Sequence, residues 1–384
     1  MTNFSRRTVL AMTGAALATP SLLRAQSGGT VKIGAMLPLS GPASIEGHQV
    51  LKGVEFAIKQ ANAAGGVFGK PVELAIEDDE ANSTRGVTAV RKLIESENVP
   101  FIVGTYPTAV VVAANKVSKE YGVPMLSGGS TGAAGTEANT PGDPWFFRCW
   151  PDSNGQGHDT AMAIVNTFGA KKVAIIHDSS NYGTTLAAQV TRIVSDAGGE
   201  IVSNDSFNVG EADFSTMLTR IRTLKPDAVY IGGWAGDGAT IVRQAAGVGL
   251  RTQFVGSGSM VSDDFIKLAG PASEGFAVAT LYEPSTPNEK GKAFGEAFEA
   301  EYGHSAGTLN ALGYDSTSIG IEALRRAGES DGRKVQEVLN NGMADFPIAM
   351  GPAGTTADYN EIGSVDFKNF IAVIKDGKRT LSGA

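Results

Sequence analysis

The pentapeptide Gly128-Gly129-Ser130-Thr131-Gly132 has the G-x-S-x-G spacing of a nucleophile elbow. There a sharp turn between strand and helix lifts a serine hydroxyl toward a histidine. An elbow needs a helix directly after the serine. Here Ala133-Ala134-Gly135-Thr136 and then Pro141-Gly142 follow, a poor helix former. Of the four histidines, His48, His158, His177 and His304, only His304 lies late enough for an open choice of serine, acid, histidine order. An exported serine hydrolase using Ser130 is thus the alternative enzyme reading. Other chemistries lack their residues. The chain has no G-x-x-x-x-G-K-[ST] phosphate loop, no spaced His/Cys cluster for zinc and no G-x-G-x-x-G opening a helix after the first strand. No cofactor, metal site or catalytic residue is expected. The single cysteine, Cys149, lies in Trp145-Phe146-Phe147-Arg148-Cys149-Trp150 and reads as a buried thiol rather than a nucleophile.

The glycines are more informative. Gly41, Gly47, Gly104, Gly128-Gly129, Gly132, Gly183, Gly232-Gly233 and Gly256 all follow segments that read as strands. Strands are predicted at 31–37, 72–76, 101–103, 123–126, 173–177, 200–203, 228–232, 253–256, 276–281 and 370–375. Helical spacing intervenes at 51–61, 83–94, 109–121, 156–168, 184–197, 214–224, 238–248, 290–302 and 309–327. Ser83 is expected to cap the second of these. An irregular stretch at 127–154 separates two rounds of the alternation. The pattern predicts two α/β lobes built on parallel sheets. In such sheets a ligand binds beyond the carboxyl ends of the strands, where small residues let backbone N–H groups reach it.

The chain has 384 residues, 42% hydrophobic and 19% charged, which suits two globular domains. Ser5-Arg6-Arg7-Thr8-Val9-Leu10, an uncharged stretch to Leu23 and the cleavage-type end Leu23-Arg24-Ala25 read as a twin-arginine signal over residues 1–25. Its apolar stretch is too short and weak to span a membrane. A periplasmic, soluble protein is expected, without a lipid-anchoring cysteine at the signal's end. Removing Arg6, Arg7 and Arg24 takes the formal charge from −8 to −11. Such an acidic surface repels phosphate backbones, so no nucleic-acid partner is expected.

Several short motifs fall in a meaningful order. They are Gly34-Ala35-Met36, Ser40-Gly41-Pro42, Gly65-Gly66-Val67-Phe68-Gly69-Lys70, Asp78-Asp79, Tyr182-Gly183, Asp213-Phe214-Ser215-Thr216, Gly232-Gly233-Trp234, Arg243-Gln244-Ala245 and Gly249-Leu250-Arg251-Thr252-Gln253-Phe254. With them the chain from Val31 onward resembles the leucine/isoleucine/valine-binding proteins, periplasmic receptors of ABC importers for branched-chain amino acids. The resemblance implies a type I periplasmic binding protein. Two Rossmann-like doubly wound lobes would be joined by three hinge crossovers, with the ligand in the cleft between them. One lobe would hold residues 30–149 plus 280–352, the other 150–279 plus 353–384. It also implies a small carboxylate-bearing ligand, an inner-membrane ABC permease as partner, and a monomer. By matching position, Thr108, Gly129 and Thr131 would bind the ligand carboxylate. Tyr182 and Trp234 would be aromatic lids from the second lobe, and Tyr106 and Trp150 could add further ring contacts. A carboxylate held by N–H and hydroxyl donors needs no buried counter-charge.

Two positions depart from the family pattern. Glu46 stands where the family often has a tyrosine. Gly258, in Gly256-Ser257-Gly258-Ser259, stands where amino-acid-binding members carry an acid for the ligand ammonium. A buried ammonium needs such a partner. Glu46 or Asp237 could substitute, although Asp237 also suits a helix N-cap. An aromatic or other hydrophobic acid, or a short amide, is therefore the alternative ligand to a branched-chain amino acid.

Overall fold

The computed structural model describes residues 29–382, so the twin-arginine segment lies outside the described residues. The predicted alternation is present. The first sheet takes β1 (Val31–Leu37), β2 (Val72–Asp78), β3 (Ile102–Gly104), β4 (Met125–Leu126) and β5 (Phe146–Phe147), in the order β2-β1-β3-β4-β5, all parallel. Helices α1 (Ser44–Ala63), α2 (Ser83–Glu95), α3 (Thr108–Tyr121) and the short α4 (Ala134–Glu137) connect them. The cap of α2 is Asn82 rather than Ser83; its side chain accepts from the N–H groups of Thr84 and Arg85. Pro107 starts α3, and Gly122 ends it in the left-handed region.

The second sheet has the order β12-β11-β10-β9-β8-β6-β7. Its members are β6 (Lys172–Asp178), β7 (Glu200–Phe207), β8 (Ala228–Gly232), β9 (Gln253–Gly256), β10 (Ala277–Thr280), β11 (Phe370–Lys375) and β12 (Lys378–Leu381). Strands β6 to β10 run parallel, and β11 and β12 add antiparallel edges. Its helices are α5 (Ser153–Met162), α6 (Asn181–Asp196), α7 (Ser215–Leu224), α8 (Ala235–Gly247) and α9 (Asp263–Ala269). The helix predicted at 156–168 starts earlier, where Asp152 caps α5, and its last turn at Ala163–Thr167 widens into a π-helix.

After β10 the chain returns to the first sheet. There α10 (Glu289–Tyr302) and α11 (Thr308–Ala327) pack on α1, and α12 (Gly332–Asn341) packs on α11. Phe56 of α1 meets Phe294 and Phe298 of α10 at ring centroid distances of 6.0 and 5.4 Å. Gly53 and Gly313 let α1 and α11 touch. A Cβ at Gly53 would lie 2.8 Å from the Tyr314 nitrogen, and one at Gly313 would lie 3.0 Å from the Val54 nitrogen. The chain then goes back to β11. It therefore passes between the two sheets three times: after β5, after β10 and before β11. Arg148 N–H donates to Gly363 O at 2.8 Å and Val365 N–H to Arg148 O at 2.9 Å, so the first and third passages run side by side.

The strand registers align the carboxyl ends. Met36 pairs with Gly104, His177 with Gly232 and Ile231 with Gly256. The loops after β3, β4, β6, β8 and β9 carry part of the cleft, and α5, β10 and the start of α11 supply the rest.

Candidate ligand-binding cleft

Two neighbouring chambers with shared walls lie between the sheets. The outer one opens to solvent and is lined by Tyr106, Thr108, Gly129, Thr131, Tyr182 and Trp234, with Pro107, Ala109, Ser180 and Asn181. The inner one is narrow, about 20 Å³, and shares Tyr106, Gly129, Thr131 and Tyr182. It adds an apolar wall of Ala279, Leu281, Leu309 and Leu312, and the polar or small residues Gln156, Gly258, Ser259 and Thr308. Six of the eight residues expected at the ligand therefore face one space. The other two, Glu46 and Trp150, are absent from both linings.

The loop after β4 is built around Gly129. Its φ is +129°, and a Cβ there would run into the Tyr106 ring. Ser127 Oγ accepts the Gly129 N–H at 3.3 Å. Thr108, in the first turn of α3, has its hydroxyl 2.9 Å from Ser130 Oγ and accepts the Gly132 N–H at 3.1 Å. That hydroxyl thus also shapes the loop. Ser130 is fully buried and pairs with Thr108, not with a histidine. Only the four-residue α4 follows it, so the elbow spacing is a turn without an elbow's geometry.

On the second sheet, β8 ends at Gly232, and Ser257 holds the next residue. Gly233 N–H donates to Ser257 Oγ at 3.3 Å, and that hydroxyl donates to Gly233 O at 2.8 Å. This fixes Trp234 as the N-cap of α8. Its ring centroid lies 5.6 Å from Tyr106 and 6.0 Å from Tyr182, so the two sheets' aromatics meet across the cleft. Burial pushes the Tyr182 phenol up to about 12, although Ser257, Ser259 and Thr131 lie close enough to offset part of the shift. The phenol donates to Gln156 Oε1 at 2.9 Å.

Glu46, in the first turn of α1, crosses to the other lobe. Its Oε1 accepts the Ala235 N–H at 3.1 Å, and its Oε2 is buried without a partner among the described residues. Burial is the main reason that its carboxyl rises to about 7; Asp237 and Asp264 push the same way, against the Ala235 hydrogen bond. Gln49, three residues on, donates to Asp264 Oδ2 of α9 at 2.8 Å. These contacts join α1 to the second lobe.

Asp237 is not the cap of α8. It sits in the first turn and accepts the Gly210 N–H at 3.0 Å, because Trp234 already occupies the capping position. Trp150 is fully buried in the main core cluster, outside both chambers. Cys149 is buried, and its thiol is pushed well up by burial and by Asp315. Of the inner-chamber residues, Gln156, Ala279, Leu281, Thr308, Leu309 and Leu312 were not expected at a ligand. Leu309 and Leu312 fall in the helix predicted at 309–327 and read as its core face, and Gln156 read only as the start of the helix predicted at 156–168.

No group of three or more metal-ligating side chains occurs among the described residues, and no described helix is long and apolar enough to cross a membrane. A family model of periplasmic binding proteins matches residues 30–378. The chain is 30% identical over 355 residues to the leucine-, isoleucine-, valine-, threonine- and alanine-binding protein of Pseudomonas aeruginosa, covering 91% of this chain and 92% of that one. It is similar to the solved leucine-binding protein LivK of Thermotoga maritima, with a TM-score of 0.81, 27% identity and coverage of 92% and 98%. It shares its fold with a solute-binding protein of an R. palustris ABC transporter solved with benzoate, at a TM-score of 0.80, 23% identity and coverage of 92% and 95%. With two mostly parallel sheets around one cleft, this chain belongs to the periplasmic binding protein family, as a non-enzymatic substrate-binding protein of the branched-chain amino acid transporter type.

Proposed function

We propose that this protein captures a small carboxylate with an apolar or aromatic body in the periplasm and delivers it to the inner-membrane permease of an ABC importer. One observation carries the reading. Among the described residues no charged side chain lines either chamber, while the N-terminal ends of α3, α6, α8 and α11 contribute Thr108, Tyr182, Trp234 and Thr308 to them. Helix N-termini and neutral hydroxyl donors favour an anion. An amino acid would also bring an ammonium, and Gly258 gives it no acid. The name of the P. aeruginosa relative favours a branched-chain amino acid. The ring-lined outer chamber favours an aromatic acid, and benzoate is held by the same fold in the R. palustris protein. The leader-type segment 1–25 supports twin-arginine export. The mechanism is closure of the two lobes, 30–149 with 280–352 and 150–279 with 353–384, over the ligand.

Thr131→Ala should weaken acid binding by about 1.5–3 kcal/mol, the range for a hydrogen bond to a charged group. Thr108→Ala should cost at least as much, because it also releases Gly132. Calorimetry with the bound acid checks both; unchanged affinity in Thr131→Ala would remove this residue from the anion site.

Closure buries Glu46 against Ala235, so ligand binding should be linked to protons. The carboxyl sits at about 7 in the joined state, against an ordinary carboxylate near 4.5. The joined state therefore binds more protons between those values. Its advantage is complete below about pH 4.5 and is lost as pH rises through about 7. Binding at pH 6 should take up part of a proton, read as a calorimetric enthalpy that differs between phosphate and imidazole buffers. Glu46→Gln should abolish the difference. Buffer-independent binding enthalpy in the unmodified protein would contradict the linkage.

A further inference from the structure

Gln156 stands in the first turns of α5, 4% exposed, in the wall of the inner chamber. Its Oε1 takes the Tyr182 phenolic hydrogen, which turns the amide NH₂ away from Tyr182. That nitrogen lies against the spot where a Cβ on Gly258 would stand, so a side chain at 258 would have to displace the Gln156 amide from its bond with Tyr182. The amide thus fills the place from which a side-chain acid at position 258 would act. The two groups are chemically opposite: a carboxylate accepts from an ammonium, whereas an amide NH₂ donates to an oxygen. Around this point Ser259 and Thr308 are neutral, and Ala279, Leu281, Leu309 and Leu312 are apolar.

We infer that Gln156 is a specificity-determining residue that selects carboxylates bearing an uncharged oxygen acceptor beside the carboxyl group, namely 2-oxo or 2-hydroxy acids with an apolar tail. The inference rests on the carboxylate reading of the cleft. The carboxylate lies at Gly129 and Thr131, which border both chambers. The neighbouring oxygen accepts from Gln156 Nε2, and the tail meets the leucine wall. A 2-ammonium at the same place would face a donor instead of an acceptor, and such a mismatch is the kind that polar sites reject.

Calorimetry on the full mature protein tests this with two matched series. One is leucine, 4-methylpentanoate and 4-methyl-2-oxopentanoate. The other is phenylalanine, 3-phenylpropanoate and phenylpyruvate. In at least one series the oxo acid should bind about tenfold tighter than the plain acid, with the amino acid weakest. Gln156→Glu keeps the acceptor for Tyr182 but presents a carboxylate, so it should reverse the order of amino acid and oxo acid. Gln156→Met keeps the bulk without the donor and should bring the ratio of oxo to plain acid to about one. This second variant decides the matter if the glutamate variant fails to fold. Equal binding of oxo and plain acids by the unmodified protein overturns the role of Gln156 and leaves the carboxylate reading standing. An amino acid that binds tightest, with its rank unchanged in Gln156→Glu and Gln156→Met, overturns it as well. Failure of every acid in both series overturns the carboxylate reading, and this inference with it.

Discussion

Arg148→Met should lower folding stability by about 3–5 kcal/mol, the cost of breaking a buried charged network, and should weaken ligand binding as well. The guanidinium is 1% exposed. It donates to Trp150 O at 3.1 Å, Gly132 O at 3.2 Å, Thr136 Oγ1 at 3.1 Å and Ser364 Oγ at 3.3 Å, and Asp152 lies 4.0 Å away. Burial brings its pKa down to about 10, so it remains charged at neutral pH. Methionine fills much of the volume but leaves two carbonyls and two hydroxyls without that donor in a dry interior. The effect should reach function because the partners span two functional parts. Gly132 belongs to the loop that carries Thr131, and Ser364 belongs to the passage beside the first crossover. Arg148→Lys keeps a charge but has one head group for a forked set of acceptors, so it should fall between the two. Urea unfolding at pH 7 measures the stability, and calorimetry measures the affinity. A loss below about 1 kcal/mol would mean that the network contributes little beyond its own desolvation cost.

Trp234→Ala should weaken ligand binding about 30- to 1000-fold, or ~2–4 kcal/mol, as for a buried aromatic anchor at the centre of a contact. Its ring lies 5.6 Å from Tyr106 of one lobe and 6.0 Å from Tyr182 of the other, so it bridges the lobes across the outer chamber. Alanine would open the outer chamber further to water and remove that bridge together. Trp234→Phe should restore most of the affinity, because a smaller ring still covers the chamber. The Ser257 bonds to Gly233 hold the backbone independently of the ring. Equal affinities for the alanine variant and the parent would place the ligand outside this chamber.

The two-lobed alternation was legible because the central strands are short apolar runs, as in Val31–Leu37 and Ala228–Gly232, each followed by polar and glycine-rich loops. The elements missed had weaker local signals. Phe146–Phe147 pairs in the first sheet over only two residues, inside a stretch without period. Lys378–Leu381 is a charged edge strand that depends on β11 for pairing. At the site, motif residues were placed because loops after strands must meet at one end of the sheets. The inner chamber was hidden because its walls come from distant segments that read as core. Leu309 and Leu312 face ligand space with the same helical spacing that faces a core. Trp150 shows the opposite error: an aromatic near the cleft by sequence, it is packed inside by the buried run that contains Arg148. Asp237 was misread because capping preference is local, and Trp234 is held at the cap from outside the helix by the loop after β9.

The cleft should recognise a carboxylate without an accompanying ammonium. Calorimetry with 3-phenylpropanoate, benzoate and 4-methylpentanoate, each beside its primary amide and, where one exists, its amino acid, tests it directly. At least one acid should bind, while its amide and its amino acid bind at least tenfold more weakly. Tight leucine or phenylalanine binding that survives both Glu46→Gln and Asp237→Asn, or an amide that binds as well as its acid, would contradict the claim.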